Sequence, residues 1–238
     1  MRHTLSDYSI VLALVAMLLD VVTAHTKLYF VGTKDGMHPR RKFIRPSMGN
    51  GPIRDLNDPL LLCRSLGMDP KRTEIMPVVA GTEVIVEWHH FNDTKADNVI
   101  SPSHQGPCLV YMAPLESNGL GNSWFKIYEQ GFNVERNMWC TDIVRENHGK
   151  LSVKIPTKIS NGEYILRPEM IALHNARRLG EAQFYPSCVQ LSVTGATGGS
   201  PKMYSIDKLY SPTEPGILFD KKNGGASYVI PGPPVYSP

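Results

Sequence analysis

Beyond residue 24 the chain has no long hydrophobic run, so nothing there reads as a membrane-spanning helix. It lacks a dominant charge: 25 Lys and Arg face 22 Asp and Glu, for a net charge of +3. So mild a balance sets aside nucleic acid and an anionic membrane as partners. The cluster Arg40, Arg41, Lys42 and Arg45 is local and reads as a solvated loop. No internal repeat is visible, and no amphipathic helix longer than about two turns. Cysteine is scarce, at four in 238 residues.

The one apolar stretch lies at the start. Arg2 and His3 precede a run from residue 10 to residue 19, and Val22 and Ala24 place small residues at −3 and −1 of a cleavage site. The run is too short for a membrane span. Residues 1–24 are therefore expected to be a signal peptide, and residues 25–238 a single secreted, extracellular domain. In that compartment the four cysteines are expected to form two disulfides, and they allow three pairings. Asn92-Asp93-Thr94 is a glycosylation sequon, which places Asn92 at the surface.

Cleavage after Ala24 would leave His25 with a free α-amino group beside its imidazole, two nitrogens able to chelate one metal ion. Residues 26–31 read as a short strand, and residues 32–59 as a long surface loop rich in Gly, Pro, Arg and Asn. Residues 82–88 alternate with the period of a half-buried strand. Strand-like runs follow at 108–113, 124–128, 150–155, 163–173 and 184–193, with turn residues between most of them. The pattern predicts an all-β sandwich. The Pro-rich segment 195–238 reads as an extended strap.

Two other histidines stand out. His104 lies in the turn-like Ser103-His104-Gln105-Gly106-Pro107, at the mouth of a strand. His174 ends a strand, and a hairpin beyond it would return Gln183 and Tyr185, which share one strand face. Two imidazoles and an amine form a nitrogen-rich set that suits copper(II), with a phenol as a weak axial group. His174 and Gln183 would then sit outside the ligands as hydrogen-bonding support.

The segments Ser103-His104-Gln105-Gly106-Pro107, Trp124-Phe125-Lys126-Ile127, Ile171-Ala172-Leu173-His174, Ala182-Gln183-Phe184-Tyr185-Pro186-Ser187-Cys188 and Tyr228-Val229-Ile230-Pro231-Gly232-Pro233 resemble, in order, the fungal lytic polysaccharide monooxygenases of auxiliary-activity family nine. The resemblance implies an immunoglobulin-like or fibronectin type III-like sandwich with a flat copper-bearing face. It implies His25, His104 and Tyr185 around one copper ion (Cu2+/Cu+), with His174 and Gln183 behind them. It also implies a Cys63–Cys188 disulfide, leaving Cys108 with Cys140, and Tyr228 as a sugar-stacking residue; packing beneath the strap is the other reading of Tyr228. The implied reaction is oxidative cleavage of cellulose or a related β-1,4-glucan at C1 or C4, by a monomer fed by an external electron donor and dioxygen or hydrogen peroxide. Thr26 and Lys27 depart from the family, which has glycine after the first histidine, and residues 32–57 match no pattern of it.

Two rivals differ in chemistry. A non-catalytic relative would hold copper in the same brace for copper handling or attachment. A glycoside hydrolase would need carboxylates roughly 5–10 Å apart. Glu83 and Glu87, four apart on one strand, stand about 13 Å from each other; Glu169 and Glu181 are the other candidates.

Overall fold

The computed structural model describes residues 25–65, 72–94 and 97–237, so the expected signal peptide lies outside the described residues. Thirteen strands appear among them: β1 (Lys27–Thr33), β2 (Gly36–Pro39), β3 (Met76–Val79), β4 (Glu83–His89), β5 (Cys108–Pro114), β6 (Asn122–Gln130), β7 (Phe132–Asn133), β8 (Met138–Trp139), β9 (Lys150–Lys154), β10 (Gly162–Ala172), β11 (Gln183–Pro186), β12 (Val189–Thr194) and β13 (Tyr204–Ser205). One short helix, α1 (Cys140–Glu146), joins β8 to β9. Among the described residues no helix is long and apolar enough to cross a membrane.

Two sheets face each other. One is ordered β2-β1-β4-β9; the other is β13-β6-β5-β10-β12-β3, with β11 added alongside β10. Period-two burial explains the smaller sheet: Val84, Val86 and Trp88 of β4 and Leu151 and Val153 of β9 point inward, and the residues between them face out or half out. They meet Val110 and Met112 of β5, Leu166 and Met170 of β10, and Leu191 and Val193 of β12. The larger sheet buries its other face too, under loops that bring Leu61, Trp139, Tyr210 and Phe219 onto Leu109, Tyr111, Ile165 and Phe184. That double burial explains the nearly unbroken apolar sequence of β5 and β10.

Besides adding the two-residue strands β7, β8 and β13, the structure revises the strand reading in three places. The presumed loop of residues 32–59 contains β2, paired with β1, and touches the large sheet through bridges Ile44–Val189 and Ile53–Phe184. The run at 184–193 is two strands, broken where Ser187 N–H bonds the Pro168 carbonyl (3.0 Å) and Cys188 joins Cys63. β3 is an additional strand, parallel to β12 at the sheet edge. The strap includes short 3-10 turns and β13, and it runs along the outer edge of the large sheet, where Tyr236 N–H reaches the Lys126 carbonyl at 2.7 Å.

Both disulfides form, Cys63–Cys188 with Cα atoms 5.2 Å apart and Cys108–Cys140 at 5.7 Å. The first ties the segment before β3 to the β11–β12 corner; the second fastens α1 to the start of β5.

Candidate metal centre

At one end of the sandwich, the entry to β1, the loop before β5 and the β10–β11 hairpin converge. Antiparallel pairing sets Gln183 opposite Ala172 and Tyr185 opposite Met170. Both side chains share one face of β11, and the Tyr185 hydroxyl donates to Gln183 Oε1 at 2.7 Å. The amide of Gln183 turns to His174, with Nε2 to Nε2 at 3.3 Å. One side chain is thus held at both ends.

His104 reaches the same place from its turn. His104 N–H bonds the Ser101 carbonyl (2.9 Å), and Ser103 Oγ sits 3.0 Å from its Nδ1. Its ring lies 3.9 Å from that of His174, and the Tyr185 ring is 6.4 Å away. Burial, then the neighbouring His174, pushes the His104 pKa down to about 4, against a hydrogen bond to Gln183. Burial also lowers His174, helped by Lys221 and Arg54. Burial raises the phenol of Tyr185 well above its usual range, with Arg64 opposing. At neutral pH His104 and His174 are therefore neutral and Tyr185 keeps its proton.

His25 joins through residues that the sequence did not single out. Its ring stacks on His90 at 6.1 Å and 12°, and His90 stacks on the exposed Phe91 at 3.6 Å. Thr26 N–H bonds the Asn50 carbonyl (3.1 Å), while Asn50 Nδ2 bonds the His90 carbonyl (2.9 Å). Gly51 lies so close that a Cβ there would stand 3.4 Å from His25 Cδ2. The doublet His89-His90 at the end of an alternating strand was the available signal for this contact.

Two observations bear on whether these residues suit a metal. His25 Nδ1 is buried without a hydrogen-bond partner, as is His174 Nδ1, and such orphaned polar atoms are uncommon. His104 keeps its imidazole neutral, the form that ligates. Among the described residues no group of three or more His, Cys, Asp or Glu could hold a metal ion.

The other expected residues are accounted for. Tyr228 is half-buried: its ring meets Trp139 at 4.9 Å and Phe219 at 5.0 Å edge-on, and its hydroxyl donates to the Gly216 carbonyl at 2.8 Å. Asn92 is exposed in a tight turn, its Oδ1 accepting from Thr94 N–H at 2.9 Å. Glu169 is fully buried in a two-pronged pair with Arg167 (2.7 and 3.0 Å), which removes it as a hydrolytic acid. Glu181 is tied to Arg54 at 3.6 Å.

Residues 22–228 match the model of Auxiliary Activity family 9 (formerly GH61). The chain is 40% identical over 221 residues to the AA9 family lytic polysaccharide monooxygenase A of Aspergillus fumigatus, covering 91% of this chain and 62% of that protein. It is 42% identical to the corresponding protein A of Aspergillus kawachii, covering 82% and 47%. It therefore spans between about half and two thirds of the length of these curated relatives. Among solved structures, CvAA9A superposes with a TM-score of 0.82 at 32% identity, covering 89% of this chain and 98% of that one. The extended catalytic domain of H. jecorina LPMO9A follows at 0.75 and 26%, covering 90% and 91%. On the family match and these identities, the chain belongs to Auxiliary Activity family 9.

Proposed function

We propose that the protein is a secreted, copper-dependent lytic polysaccharide monooxygenase that cleaves cellulose or a related β-1,4-glucan oxidatively. Family membership supports the reaction class, and the names of the relatives point the same way. The observation that carries the reading is the pairing of an unpartnered, buried His25 Nδ1 with a neutral His104, beside the chain Tyr185–Gln183–His174. In this proposal the signal peptide is removed after Ala24, and the amine and imidazole of His25 would hold copper together with His104, with the Tyr185 phenol beside them. When bound, copper supplies one-electron chemistry which, with an external electron donor and dioxygen or hydrogen peroxide, oxidises C1 or C4 of the glucan.

The chain's own residues do the rest. His104 stays unprotonated in mildly acidic surroundings and keeps its lone pair available. Tyr185 keeps its proton, committed to Gln183, and so remains a weak neutral donor. Gln183 fixes the rotamers of Tyr185 and His174 at once. His174 accepts from the Gln183 amide at Nε2, so its buried Nδ1 carries the ring proton and is free to donate it. The buried positions of His104, Gln183 and Tyr185 keep bulk water from this side.

The non-catalytic alternative has no evident use for the Tyr185–Gln183–His174 chain. Cellulose treated with the copper-loaded, processed protein and ascorbate is expected to release oxidised oligosaccharides detectable by mass spectrometry. Tight copper binding with no oxidised product and no peroxide formation would instead establish the copper-handling reading.

A further inference from the structure

Arg64 occupies an unusual position. It follows Cys63 of the Cys63–Cys188 disulfide and is 2% exposed, and its φ of 53° lies in the left-handed region that arginine seldom adopts. The backbone is held there from both sides: its N–H reaches the Leu60 carbonyl at 2.6 Å, and its carbonyl accepts from Met48 N–H at 2.8 Å. An outlier so firmly fixed in a buried place invites a functional reading.

Its side chain gives that reading content. Nη1 donates to the Gly51 carbonyl, in the residue packed against the His25 ring. Nη2 donates to the Phe184 carbonyl at 3.1 Å, between Gln183 and Tyr185. The guanidinium carbon stands 5.7 Å from the centre of the Tyr185 ring. Nε is buried with no partner, so desolvation is incompletely compensated and the Arg64 pKa falls to about 10. A buried cation of this kind costs stability unless something repays it. Among the described residues no carboxylate pairs with it; its bonds are to the two backbone segments that wall the centre.

We propose that Arg64 is a positioning residue for the copper centre: its rigid guanidinium fork clamps the Gly51 segment beneath His25 to the Phe184 peptide that carries Tyr185, and it sets a fixed positive charge against the face of the axial phenol. The proposal rests on the copper reading above. Lysine has the charge but not the planar fork, and cannot span both carbonyls in the same geometry. Asparagine accepts the left-handed backbone more readily than arginine, yet is too short to reach either carbonyl.

The test uses the processed protein loaded with Cu(II), comparing wild type with Arg64→Lys, Arg64→Asn and Arg64→Met by electron paramagnetic resonance, Cu(II)/Cu(I) midpoint potential and thermal melting. Arg64→Asn and Arg64→Met are expected to lower the potential by about 59 mV, a tenfold change in the relative affinity for the two oxidation states, because a cation beside the site disfavours the more positive ion. Their copper spectra should change as well. Arg64→Lys should keep most of the potential but broaden the spectrum, as the charge remains and the clamp goes. Unchanged spectra and potential in variants that merely melt earlier would overturn the proposal and leave Arg64 a structural residue. Should Arg64→Met fail to fold, Arg64→Asn, with its relieved backbone, decides the matter. A wild-type protein with no tetragonal nitrogen-rich signal would instead sink the copper reading itself.

Discussion

His25 is the residue on which the proposed chemistry turns, and its usefulness depends on a peptide bond being cut. A variant bearing even one extra residue ahead of His25 keeps the imidazole but loses the terminal amine. Titration calorimetry should then find copper binding greatly weakened and oxidised products nearly absent; equal binding by the extended protein would dispose of the amine as a ligand. His104→Ala should lose the tetragonal copper signal altogether. Gln183 acts by holding its neighbours, so Gln183→Leu should still bind copper while product release falls about 10–100-fold. His104 also makes a pH-dependent contribution to the metal-free protein. Its imidazole titrates near 4 when folded and near 6.5 in an unfolded chain, so the unfolded state takes up the proton first as pH falls. That contribution is complete above about pH 6.5 and is lost between there and about pH 4. Melting curves of the metal-free protein should show this loss, and His104→Gln should flatten it. These residues were legible because their types, a chelating start and a Gln-x-Tyr alternation, carry their chemistry in one dimension. His90, Gly51 and Arg64 were not, because their roles arise from contacts between segments well separated in the sequence, or from a backbone angle that no residue name discloses.

Among the elements, the turn before β5 shows how narrowly His104 is placed. A Cβ on Gly106 would lie 1.9 Å from the Ile171 carbonyl oxygen, so the segment can pass over β10 only without a side chain. Its N–H also bonds Thr141 Oγ1 at 3.0 Å, tying the turn to α1. Gly106→Ala should therefore lower the melting temperature and weaken copper binding together, since the segment can relieve the clash only by lifting away from β10. Strands with clear alternation, β4 and β9, could be read directly from the sequence. β3 could not, because Pro77 looks like a breaker; it is tolerated since it is exposed on an edge strand, where a missing N–H costs little. The division between β11 and β12 was hidden for a different reason. Ser187 and Cys188 are ordinary strand residues by type, and long-range partners, Pro168 and Cys63, bend them out of line.

For the molecule as a whole, the two-layer core was legible as class and size, whereas its buried ionic contents were not. Arg167 and Glu169 are both fully buried, with Tyr210 donating to the same carboxylate and Tyr111 3.1 Å from the Tyr210 hydroxyl. Removing one partner leaves an uncompensated charge, so Glu169→Leu should cost about 3–5 kcal/mol. Each kcal/mol corresponds to roughly 2–4 °C of melting temperature in a chain of this size, which calorimetry resolves easily. The strap has a consequence of another kind. Val235 bridges in parallel to Lys126, and β13 pairs with β6 at Tyr204 and Ser205, so the outer rim of the large sheet carries short, irregular partners along part of its length. A bare nine-residue rim would offer its unpaired amides and carbonyls to the same rim of another molecule. By occupying them, the strap acts as a guard against self-templated stacking, a hazard that would otherwise rise wherever many copies crowd together on one solid surface.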